Sequence, residues 1–96
     1  MKYLNVFVKL RNPFGKLVDG VVIIRNEFAL CKFEDEKLSK QLYKLGKKKG
    51  DDVAYNEEHK AMVQRYKGKT IKQILKIIKE ELGNAGGEVL KTKNEN

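Results

Sequence analysis

The chain has one cysteine, one histidine, one proline and no tryptophan. A lone cysteine excludes an intramolecular disulfide framework. One cysteine with one histidine excludes a Cys/His zinc site built within a single chain, so no metal is expected. No apolar run approaches the roughly 20 residues of a membrane span, and the opening MKYLNVFVKL lacks a signal-peptide pattern. The expectation is a cytoplasmic protein with no membrane partner. No glycine-rich loop precedes a helix, since Gly83 to Gly87 follows a helical stretch. A phosphate cradle needs the opposite order, and no cofactor is expected.

Acidic residues are scarce in one place. The 96 residues carry 21 Lys and Arg against 13 Asp and Glu, a net charge of +8. Residues 37–50 hold six lysines and no acid, which is six of those eight charges. A clustered basic patch points to a polyanionic partner more strongly than diffuse charge does.

The clearest pattern is Thr70 to Gly83, TIKQILKIIKEELG. Ile71, Ile74, Leu75, Ile78 and Leu82 recur at the spacing of one helix face. Thr70 with Gln73 three residues later has the spacing of a capping box. Gly83 is the expected left-handed terminator.

The first third reads as strands. Leu4, Val6, Val8 and Leu10 alternate with Tyr3, Asn5, Phe7 and Lys9, which is period two. Asn12-Pro13-Phe14-Gly15 suits a type I turn. Val21 to Ile24 is four β-branched residues in a row, the composition of a strand buried on both faces. Gly20 is expected at a bulge, and Phe28 to Phe33 is a third strand.

The remainder reads as helices. Asp35 is the expected N-cap of a helix with Leu38, Leu42 and Leu45 on its apolar side. Asn56, followed by Glu57 and Glu58, has the pattern of a second helix start. His59, Met62, Val63 and Tyr66 fit its apolar face. The expected fold is therefore α+β, a three-stranded antiparallel meander followed by three helices (βββααα) packed on one sheet face. Residues 1–83 are expected to form that single domain, and the polar residues 84–96 a flexible tail in which Glu88 to Lys91 can be extended.

Two constellations bear on function. Lys37, Lys40, Lys44 and Lys47 cluster opposite the leucine stripe, with Lys48 and Lys49 at the helix end. Such a face can follow a phosphate backbone, and Tyr43 between the lysines can stack on a base. Lysine is a point charge, whereas bidentate base reading favours arginine, so low sequence specificity is expected. The outer sheet face is the second constellation. Tyr3, Phe7, Val22 and Ile24 are assigned to it as an interface with a second copy or another protein.

Catalysis has little support. Asp19 with Asp35-Glu36-Lys37 echoes the acid and acid-x-lysine spacing of metal-dependent nucleases, but Asp35 is explained as a cap. No catalytic residue is assigned. The reading is a small, non-enzymatic, homodimeric DNA- or RNA-binding protein using residues 37–49. The rival is a protein-interaction module docking a partner on its sheet, and a metal-dependent nuclease is a distant third.

Overall fold

A computed structural model describes residues 2–95. The elements are β1 (Tyr3–Arg11), β2 (Leu17–Arg25), β3 (Phe28–Phe33), α1 (Glu36–Lys49), β4 (Val53–Asn56), β5 (Ala61–Arg65), α2 (Ile71–Asn84) and β6 (Glu88–Glu95). The strands form one six-stranded sheet in the order β4-β5-β3-β2-β1-β6. Every neighbouring pair is antiparallel. The fold is a β-rich α+β sheet with two helices, which overturns the expected three strands followed by three helices.

The first correction concerns residues 53–65. The His59, Met62, Val63, Tyr66 spacing belongs to no helix. Val53–Asn56 and Ala61–Arg65 form a hairpin, and β5 pairs with the free edge of β3. Asn56 does accept the His59 N–H at 3.0 Å, as an N-cap would, but the chain then reverses through Lys60 at φ 54°. Pairing with β3 outweighs a four-residue match to a helical face, because strand formation is decided by tertiary partners.

The second correction concerns the expected tail. Glu88–Glu95 runs beside β1 as an edge strand. Gly86, at φ +77°, turns the chain after α2, so the left-handed glycine lies three residues beyond Gly83. A Cβ on Gly87 would stand 2.7 Å from the Lys9 carbonyl oxygen. Glycine there lets β6 start against β1. Gly20 marks no bulge. It clears room for the Phe33 ring across the strand pair, where a Cβ would lie 2.5 Å from a ring carbon.

The helices follow their local signals. The Asp35 side chain accepts the Lys37 N–H, and Gly50 closes α1 in the left-handed conformation. Thr70 and Gln73 form both halves of the capping box on α2. Buried Ser39 ties α1 to the sheet by accepting the Phe33 N–H at 3.1 Å. The turn between β2 and β3 clasps the approach to α2, with the Glu27 carboxylate accepting the Gly68 N–H and the Asn26 side chain the Ile71 N–H.

One core joins the layers. Leu4, Val6, Val8 and Leu10 of β1 pack in one cluster with Ile71, Ile74, Ile78 and Leu82 of α2, and Leu38 of α1 joins them. The helices cover the same side of the sheet, α1 over β3, β4 and β5, and α2 over β1, β2 and β6. Among the described residues nothing covers the other side.

Ile74 is completely buried at the centre of this core. Ile74→Ala is expected to lower unfolding free energy by about 2–5 kcal/mol in a urea titration, the range for truncating a buried aliphatic side chain. A loss within about 0.5 kcal/mol, typical of surface changes, would contradict this packing.

Candidate nucleic-acid interface

The alternation of each strand sends every second side chain to the uncovered side. Cross-strand register arranges these residues in rows. The central row runs Lys93, Asn5, Ile23, Leu30, Val63 and Ala54. Beside it, Lys91, Phe7, Val21 and Lys32 form a second row. On the other side Arg25, Phe28 and Arg65 align, with Tyr3 next to them on β1 opposite Glu95. The result is a shallow apolar centre bordered by three aromatic rings and by cations.

Two of those rings carry a cation. The Lys91 ammonium sits 5.0 Å from the Phe7 ring centroid, and the Arg25 guanidinium 5.4 Å from that of Tyr3. Both distances are within the range of cation–π attraction. The third ring, Phe28, is 41% exposed, so it is a surface group and not part of the core. Tyr3 and Phe7 lie four residues apart on one strand, about 13 Å from the strand rise. Phe28 is two strands away from Tyr3, about 10 Å.

Charge on this face is unbalanced. The basic residues are Lys9, Arg11, Arg25, Lys32, Arg65, Lys91 and Lys93, and the acids are Asp19, Glu34, Glu88 and Glu95. Asp19 lies 3.8 Å from Lys9, and Glu95 lies 3.5 Å from Lys93. Arg25, Lys32, Arg65 and Lys91 have no carboxylate partner among the described residues. At the centre, the Asn5 side-chain oxygen is enclosed without a hydrogen-bond partner among the described residues. A buried acceptor of this kind calls for a donor.

Of the residues assigned to this face from sequence, Tyr3 and Phe7 are on it and half-buried. Val22 and Ile24 are not. They are buried under the helices, and their neighbours Val21 and Ile23 take the outer positions. A run of four β-branched residues does not reveal its parity, which is set by Val22 pairing with Val6 and Ile24 with Leu4. Asn5, Arg25, Phe28, Lys32, Arg65, Lys91 and Lys93 were missed as a group. Period-two parity through Phe28, Leu30 and Lys32 carried that signal, as did Lys91 and Lys93 once residues 88–95 are read as a strand.

The lysines of α1 sit on the opposite side of the molecule. Lys37, Lys44, Lys47 and Lys48 are exposed and have no carboxylate partner among the described residues. Lys40 is 3.6 Å from Glu36 and lies over the Tyr55 ring, and Lys49 is 3.5 Å from Asp51. Tyr43 is half-buried and packs at a tilt against Tyr55 with ring centroids 6.1 Å apart. His59 is exposed in the β4–β5 turn and not on an apolar helix face.

A small cleft of about 100 Å³ separates the helices, lined by Cys31, Leu42, Met62, Tyr66 and Glu81 among others. Burial, with a smaller push from Glu81, raises the Cys31 thiol from its ordinary 9.0 to about 12. Burial and then Glu81 likewise push the Tyr66 hydroxyl up. Burial raises the Glu81 carboxyl, Lys49 draws it down and Asp51 adds to the rise. A nucleophilic cysteine needs its thiolate, and this environment holds the thiol protonated. Asp19 faces Lys9 and Asp35 caps α1, so the two carboxylates of the nuclease echo have local structural partners. Among the described residues no three His, Cys, Asp or Glu side chains gather as a metal site would require.

Compared with protein-family models, with curated proteins and with solved structures, the chain matches none. No helix is long and apolar enough to cross a membrane among the described residues.

The Cys31 environment has a pH signature. Its folded pKa is raised, so the unfolded chain releases the proton first. That contribution to stability is whole below pH 9 and is lost between pH 9 and about 12. Urea titrations across this window are expected to show a shallower fall for Cys31→Ala than for the wild type, by up to about 1.4 kcal/mol per pH unit. Parallel curves would contradict the buried, protonated thiol.

Proposed function

We propose that the protein binds single-stranded nucleic acid with little sequence preference, on the uncovered face of its sheet. The observation that carries this reading is the pairing of ring and cation at Tyr3–Arg25 and Phe7–Lys91 on a face where bases outnumber acids. Aromatic rings accept any base, because every base has a π face, while nearby cations follow the phosphates.

Width favours a single strand. Six strands about 4.8 Å apart span roughly 24 Å, twice the ~12 Å of a major groove. A sheet this broad offers a platform to splayed bases and does not enter a duplex groove. Charge argues against a second copy on the same face. Stacking two such faces would set Arg25, Lys32, Arg65 and Lys91 against like charges with few free carboxylates to answer them.

Fluorescence anisotropy with a labelled oligothymidylate, titrated with salt, tests the reading. Single strands give a slope of about −0.7 in log affinity against log salt per phosphate neutralised, so four free cations imply roughly −3. Tyr3→Ala with Phe7→Ala is expected to weaken binding tenfold or more, at about 1–3 kcal/mol per lost stack, and to leave the slope nearly unchanged. Arg25→Gln with Lys91→Gln is expected to flatten the slope by about 1.4. Unchanged affinity in both variants, with circular dichroism showing intact folds, would refute the sheet as the binding face. If the oligonucleotide leaves sedimentation unchanged while the protein alone runs as a dimer, the face serves a second copy instead.

A further inference from the structure

The lysines of α1 have no role in the sheet-face reading, yet they are the densest charge in the molecule. Six lysines and one acid, Glu36, lie between residues 36 and 49. Leu38, Ser39 and Gly46 are the buried positions of this helix. At 100° per residue, Lys37, Lys40, Lys44, Lys47 and Lys48 fall opposite them, on the side turned away from the sheet. Of these, only Lys40 has a carboxylate partner among the described residues.

Position makes this patch separate from the open face. α1 lies on β3, β4 and β5 from the covered side. A helix about 10 Å thick therefore stands between its lysines and the sheet, and roughly 15 to 20 Å separates the two charged surfaces. The Debye length is only about 8 Å at physiological salt. Each surface thus attracts phosphates on its own, and one strand lying flat on the sheet does not touch the lysines. The two surfaces also differ in kind. The sheet joins three rings to its cations, whereas α1 offers point charges with a single tyrosine that packs against Tyr55.

We infer that the protein holds two nucleic-acid strands at once, one on the open sheet and one along α1, and so bridges them as a monomer. This rests on the sheet-face reading above. The α1 site is the weaker and more salt-sensitive of the two, since it gains nothing from stacking. Bridging is therefore lost at lower salt than binding itself.

The test uses two non-complementary oligothymidylates, one with a donor dye and one with an acceptor, mixed with the full-length protein. Energy transfer is expected at sub-stoichiometric protein and is expected to fall again when protein is in excess, because each strand then has its own protein. In a variant with Lys37, Lys44, Lys47 and Lys48 all changed to Gln, transfer is expected to vanish while anisotropy shows affinity for one strand within about threefold. Persistent transfer in that variant would overturn the inference, because bridging would then come from another surface or from dimers. Binding without transfer in the wild type would overturn it while leaving the sheet-face reading standing. No binding of either strand would overturn both. A Lys→Arg version of the same four positions keeps the charge and is expected to restore transfer; failure to restore it would overturn the electrostatic account.

Discussion

The packing of Ile71, Ile74, Ile78 and Leu82 on Leu4, Val6, Val8 and Leu10 commits one side of the sheet to the interior. α1 joins the same side through Leu38. Antiparallel sheets tolerate water on their second face, and here that face has six strands to expose. What those strands carry outward is therefore set by parity. Tyr3, Phe7 and Phe28 face out because Leu4, Val6 and Ala29 face in. The candidate interface is the necessary reverse of the core, and both would change together if one strand slipped by a residue.

Electrostatics then sorts the possible occupants of that face. An apolar centre alone would fit another protein as well as it fits bases. The border of arginines and lysines, with Asp19 and Glu95 paired to Lys9 and Lys93, leaves the surface with an excess of positive charge that favours a polyanion. Cations lie over Tyr3 and Phe7, so ring and charge are presented together. The lysines of α1 repeat the charge on the far side without the rings.

The elements that depend on local rules were legible in the sequence. The capping box at Thr70, the cap at Asp35 and the alternation of β1 act within a few residues of themselves. The β4–β5 hairpin was not legible and β6 only at its start, because what holds each in the sheet, β3 for the hairpin and β1 for β6, is distant in the chain. β5 is a strand because β3 has an open edge, and its sequence also matches a helical face. Among the described residues β6 pairs only with β1, its residues from Leu90 to Asn94 are exposed and Val89 alone packs against the core, so an apolar pattern marks no more than its start. A sequence pattern records burial, and an edge strand held by backbone hydrogen bonds buries little. The same limit governed the site. Tyr3 and Phe7 were readable from β1 alone. Arg25, Phe28, Arg65 and Lys91 reach their places only through cross-strand register, and Val22 and Ile24 were misplaced by one step of parity.

We propose that nucleic acid meets the sheet first and α1 second. Heteronuclear NMR of the labelled protein with one equivalent of a short oligothymidylate addresses this directly. The account predicts that the largest shift changes fall on Tyr3, Asn5, Phe7, Ile23 and Leu30, with Ile74 and Cys31 unmoved. Changes confined to α1, or none at saturating oligonucleotide, would contradict it.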